Sequence, residues 1–205
     1  MRELPFDLSR GAVGSAQVTA AILSLLHWLA GTHWSIALHE SQYVWPFTES
    51  LHVLTLAWFV GAAMILDLRL LGVAFTAVPV SEVTGRVLPW TRAGFAVMVV
   101  TGLMLFYATP VSYYQSIFFR IKMVLLVLAG INVFVFHSRT QRTVADWDTA
   151  GRPPRAARVA AIVSLVAWTG VVVTGRLIAY NWFSCELQPQ SAFINWAAGC
   201  VVTPP

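Results

Sequence analysis

The chain is expected to fold as an all-α integral membrane four-helix bundle with an N-terminal interfacial amphipathic helix. Three observations carry this. Hydrophobic residues make up 58% of the sequence and charged residues only 11%, with a mean hydropathy of +0.70. A soluble domain has about a quarter of its residues charged and needs them for solvation. Four apolar segments reach the roughly 20 residues that a helix needs to cross a bilayer. The basic residues gather in short connections between those segments, which is the positive-inside pattern. That distribution also argues against nucleic acid as a partner, although the net charge of +4 and pI near 9.5 invite it, because no basic face is presented.

Residues 1–45 form an N-terminal extension. The stretch 11–30 is long enough to span, but Gln17, Thr19, Ser24 and His27 dilute it. Val18, Ile22, Leu25, Leu29 and Ile36 fall near one helical face, and Gln17, Ser24, His27, Gly31 and Ser35 near another. This spacing describes a helix lying in the interface with Trp28 and Trp34 as anchors; a fifth span is the alternative. A cleaved signal peptide fits poorly, since Glu3 and Asp7 spoil the basic start and the one small-x-small site is Ser35-Ile36-Ala37.

Residues 46–183 form the membrane domain, with spans expected at 46–72, 86–108, 116–137 and 156–182. The connections hold Pro79, Pro89, Pro110, Pro153 and Pro154, which break helices. Membrane strands are not expected, because the spans lack alternating polarity. Arg69, Arg86 and Arg92 mark the first link, and Arg139, Arg142, Arg152, Arg155 and Arg158 the third. Arg120 and Lys122 lie on the opposite side, and the tail at 184–205 has no base. The expected location is the bacterial inner membrane, multi-pass, with Arg-rich links cytoplasmic and the C-terminus periplasmic. Trp45, Trp90, Tyr107, Tyr113, Tyr114, Trp147 and Trp182 sit near span ends, as an interfacial aromatic belt does.

Polar residues inside spans are the candidates for chemistry, because ionisable groups at membrane depth are costly. At about 1.5 Å of rise per residue, Glu49, His52, Met104, Tyr107, Lys122 and Arg176 share an outer layer. His52 is the candidate ligand or proton carrier, with Glu49 one turn earlier on nearly the same face. Arg176 would neutralise Glu49 or grip an anionic group such as a heme propionate. The competing reading is a buried ion pair that only fixes helix register, with Lys and Arg snorkelling outward. Asp67, Arg92, His137 and the somewhat deeper Asn132 form an inner layer, read as structural.

Two metals suggest themselves for the outer layer. A b-type heme would take His52 with Met104, or with a histidine from the N-terminal helix. His137 lies about 20 Å away along the axis and cannot share its iron. Copper is the second reading, from imidazoles and the thioethers of Met64, Met98 and Met104, although Met64 and Met98 suit packing or lipid contact better. Gly94 and Gly102 are two turns apart, a small-residue packing stripe. Cys185 and Cys200 are the only cysteines; on this orientation they face an oxidising compartment, where a disulfide persists. No Walker loop, dinucleotide fingerprint, serine elbow or zinc-protease motif occurs, so no enzyme class is assigned.

Pro46-x-x-Glu49-x-x-His52, Gly61 and Asp67-Leu-Arg-Leu-Leu-Gly72 resemble the hallmark of a family of uncharacterised bacterial inner-membrane proteins. The resemblance extends to Trp90, Thr101-Gly102, Phe119-x-x-Lys122, Asn132 and Gly175-Arg176, covering roughly 23–182. It implies a four-span fold and no activity. Leu51-His52-Val53-Leu54 with Trp58 and Gly61 is faintly similar to the membrane domain of copper-resistance proteins, over one span. The expected function is a binding or electron-transfer membrane subunit, holding heme or serving a periplasmic redox protein. The alternatives are a copper or small-solute permease-like protein, and a structural subunit without chemistry.

Overall fold

In the computed structural model, which describes residues 8–149 and 152–200, every regular element among the described residues is a helix. The chain opens with α1 (Leu8–Ala30) and α2 (His33–His39), bent against each other by 72° around Gly31 and Thr32. Four helices long and apolar enough to cross a membrane follow: α3 (Val44–Leu71), α4 (Val80–Ala108), α6 (Ile117–Val135) and α8 (Arg155–Leu177). Short helices α5 (Pro110–Tyr114) and α7 (Val144–Trp147) lie in the second and third links, and α9 (Ala192–Ala198) in the tail. The protein is therefore a polytopic membrane protein. The bent pair at the N-terminus counts as a fifth span if it is taken as one segment.

The exterior of the bundle carries many large apolar side chains. Val100, Leu103 and Phe134 are 58%, 64% and 72% exposed, which suits side chains whose solvent is lipid. Between such helices burial brings no transfer from water, so association rests on close packing. The packing is close. Phe59, Val60, Met98, Ala129, Ala167, Trp168 and Val171 form the central core, with the Phe59 ring edge-on to Trp168 at 4.6 Å. Gly94 lets α4 approach α3, since a Cβ there would stand 3.3 Å from Phe59 Cβ. Met98 packs in this core, whereas Met64 is 41% exposed on the outer surface. α3 packs along both α4 and α8, and α6 along α8.

The N-terminal helices follow the expected faces only in part. Val18, Ile22 and Leu25 point outward while Leu23 and Leu26 are buried. Ser35, placed on the water-facing side by its spacing, is instead buried, and its hydroxyl donates to the Tyr107 carbonyl at 2.8 Å. The 72° bend turns α2 across the end of α4, where the otherwise unpaired last carbonyls of a helix accept such donors. The Thr32 and Tyr107 hydroxyls meet there too, at 2.8 Å.

At the other end of the bundle the links are tied together by one side chain. Arg69 is 0% exposed; its Nε donates to the Val78 carbonyl at 2.7 Å and its Nη2 to the Asp148 carbonyl at 3.3 Å. It thereby joins the α3–α4 link to the α6–α8 link. Asp148 in turn caps α4: its carboxylate accepts from the Ser81 N–H at 2.7 Å and the Ser81 hydroxyl at 2.6 Å. This explains why α4 begins at Val80, earlier than the expected 86; Pro89, expected to break a helix, lies inside it.

Asp148 lies outside the spans, and the hydrogen bonds from Ser81 hold its carboxyl below the ordinary range. A folded pKa below the unfolded one gives stability that is present above the unfolded value, about 3.9, and lost as pH falls through the folded one. Thermal melts from pH 7 downward are expected to lose midpoint on the acid side in the wild type, and to show a shallower acid-side slope in Asp148→Asn.

Candidate functional site

His52 stands on the α3 face turned to α4, half-buried, with Nδ1 2.8 Å from Thr101 Oγ1. The Thr101 hydroxyl also reaches the Val97 carbonyl one turn back, at 2.8 Å. A hydroxyl has one proton to donate. With that proton on Val97, His52 donates through Nδ1–H and keeps the lone pair of Nε2. Were that proton given to Nδ1 instead, the ring would carry its hydrogen on Nε2, so the tautomer is an assignment and not an observation. Gly102 makes the room: a Cβ there would come within 3.3 Å of His52 Cε1.

Lys122 is the second member of the site. It enters α6 about 8 Å beyond the first residue of the helix, and its ammonium lies within Coulombic range of the His52 ring. A Cβ on Gly175 of α8 would stand 3.7 Å from Lys122 Nζ. Thus α3 supplies the imidazole, α4 its anchor, α6 the cation and α8 the gap that receives it. No carboxylate among the described residues pairs with Lys122.

The other expected members of the outer layer are not brought in. Glu49 is exposed on the side of Tyr113 in α5. Burial first, and the Glu49 carboxylate second, push the Tyr113 phenol above its ordinary value. Arg176 is exposed as well, with its guanidinium 5.2 Å from the centre of the Tyr180 ring. The expected Glu49–Arg176 ion pair is not formed among the described residues. The two share a depth, but rise along a helix says nothing of facing. In a double-mutant cycle on thermal stability, Glu49→Gln and Arg176→Gln are accordingly expected to add to within about 0.5 kcal/mol. Met104 lines a different feature, an apolar groove of ≈ 430 Å³ between α3 and α4 that also touches Thr48 and Thr101.

A cavity of ≈ 390 Å³ opens between α2, α5 and the tail, with His39, Glu40, Gln115, Asn181 and Trp182 in its walls. His52 lines neither the cavity nor the groove. The inner layer also separates. Asp67 is buried, with Ser164 of α8 as its hydrogen-bonding neighbour and no partner for Oδ2. Arg92 and His137 are exposed. Asn132 ties α6 to α8, its Nδ2 donating to the Ala160 carbonyl at 2.9 Å. Cys185 and Cys200 are joined, S–S 2.06 Å. Among the described residues no three of His, Cys, Asp and Glu converge as a metal-binding group.

Thr101, Gly102 and Lys122 form the surroundings of His52, yet only Lys122 stood out by depth. A threonine bonded to its own helix is common in apolar spans, so the pairing of Thr101 with an imidazole 49 residues away has no local signal.

The profile of the Family of unknown function (DUF6644) matches residues 36–181, taking in all four spans and the His52 site. No curated protein and no solved structure matches the chain.

Proposed function

We propose, for a chain that belongs to the DUF6644 family of unknown function, that it binds a small anionic solute at His52 and Lys122 within the membrane. The observation that carries this reading is the Lys122 cation, set inside a span beside His52 with no carboxylate to balance it. An uncompensated charge in a low-dielectric region costs several kcal/mol, and such residues at membrane depth mark ligand or ion pathways. An anion on Lys122 removes that cost. His52, held by Thr101 through Nδ1 and within Coulombic range of Lys122, would meet an acidic proton of the ligand or carry one away.

The reading favours the permease-like alternative over the heme-binding one. A b-type heme fits this layer poorly. Met104 lines the groove between α3 and α4, and His52 lines neither that groove nor the cavity between α2 and α5, so imidazole and thioether do not face one common space. Copper lacks a converging third ligand of the His, Cys, Asp and Glu type among the described residues. Sidedness belongs to the same proposal. Arg69 holds the first and third links at one end of the bundle, and these are the links richest in arginine. That end is the cytoplasmic one of a bacterial inner membrane by the positive-inside rule, and the His52 end opens to the periplasm.

The test is thermal stability of purified protein in neutral detergent against formate, acetate, nitrate and phosphate. At least one should raise the wild-type midpoint, since a ligand at 100 Kd stabilises by about 2.7 kcal/mol. Lys122→Gln should not respond. No stabilisation by any of the four, or an equal response in Lys122→Gln, would remove the proposal. A Soret band in the same sample would favour heme instead.

A further inference from the structure

The tail after α8 is a cross-linked hook with an apolar edge that no other described residue covers. The Cys185–Cys200 disulfide closes it. Inside the loop Gln188 Nε2 donates to Asn195 Oδ1 at 2.9 Å and the Cys200 N–H to the Asn195 carbonyl at 2.8 Å. The hook is seated on the bundle by Ala198, 0% exposed, and by Gly199. Gly199 ends α9 with φ of 69° and lies directly over the Arg120 guanidinium of α6, where a side chain would collide. Arg120 is itself fixed from below, its Nε donating to the Tyr114 carbonyl at 3.0 Å.

A segment secured this well normally turns its large apolar residues inward. Here Phe193 and Trp196 are 71% and 77% exposed, with ring centres 6.1 Å apart. The stretch from 187 to 199 carries no charged residue. Its position is set by two span ends. α9 packs on α6, and the hook leaves α8 through Tyr180 and Trp182, which are exposed and stacked at 5.1 Å. The apolar edge therefore stands beside the ends of the α6 and α8 spans, the level at which a spanning helix leaves the hydrocarbon. Aromatic side chains are favoured at that level, and a short amphipathic helix lies well in that plane.

We infer that α9 is a bilayer-surface anchor, with Phe193 and Trp196 inserted among the headgroups of the leaflet on the His52 side. Its occupant is phospholipid rather than a protein partner, and its neutrality makes attachment indifferent to headgroup charge. One consequence is mechanical: the wall that Phe183, Ser184 and Glu186 contribute to the ≈ 390 Å³ cavity is then held from both the bundle and the membrane.

The test is photo-crosslinking in whole cells with p-benzoylphenylalanine replacing Phe193, Trp196 or, as a control, Glu186, which faces the cavity. The aromatic replacements conserve shape at the first two positions. Irradiation should yield protein heavier by one phospholipid at 193 and 196 and not at 186. A protein adduct at 193 or 196, no lipid adduct at either, or equal lipid labelling at 186 would overturn the inference.

Discussion

Arg69→Ala is expected to be the most damaging single change in the chain, lowering stability in detergent by about 3–5 kcal/mol. Two hydrogen bonds from a charged donor are worth about 1.5–3 kcal/mol each, and Arg69 makes them to Val78 and Asp148 from a fully buried position. The loss propagates, because the same Asp148 backbone accepts from the Val80 N–H at 3.1 Å while its carboxylate caps α4. Arg69→Lys should recover less than half of the loss, since an ammonium cannot reach two carbonyls with a planar fork. Chemical or thermal unfolding followed by circular dichroism measures both. A loss below about 1 kcal/mol for Arg69→Ala, the usual size for an exposed boundary charge, would show that the links hold without it.

Lys122→Met is expected to act in the opposite direction. Lys122 is half-buried, and replacing buried ion pairs by apolar side chains is often stabilising, by about 1–4 kcal/mol. Here the charge lacks a carboxylate partner among the described residues, so a gain of about 1–3 kcal/mol without ligand is the expected result. The same variant should lose the anion response. Stability gained with function lost is the usual mark of a residue kept for its chemistry. Unchanged stability would mean that Lys122 reaches the headgroups and pays no desolvation cost.

The contrast between these two residues shows what the sequence reveals. The four spans are legible because the apolar length needed to cross a bilayer is a local property. Helix ends are less so. α4 begins at Val80 because Asp148, distant in sequence, supplies its cap, and no local signal marks that. Depth is legible from rise along a helix, which is how His52, Lys122, Glu49 and Arg176 come to share a layer. Facing is not, and it decides which of them meet. Asp67 and Arg69 look alike as boundary charges in the motif Asp67-Leu-Arg-Leu-Leu-Gly72. One faces a serine on α8, while the other reaches back to clamp two links.

The His52 site carries the proposed function. Its centre is a single proton assignment: Nδ1–H donated to Thr101, in a ring within Coulombic range of Lys122. Nitrogen-15 NMR of histidine-labelled protein in nanodiscs reads this directly, with His52→Asn identifying the resonance. The expected signal is that of an Nδ1-protonated imidazole whose Nε2 resonance shifts when the stabilising anion is added, and does not shift in Lys122→Gln. An Nε2-protonated ring, or an Nε2 signal indifferent to every anion tested, would contradict it.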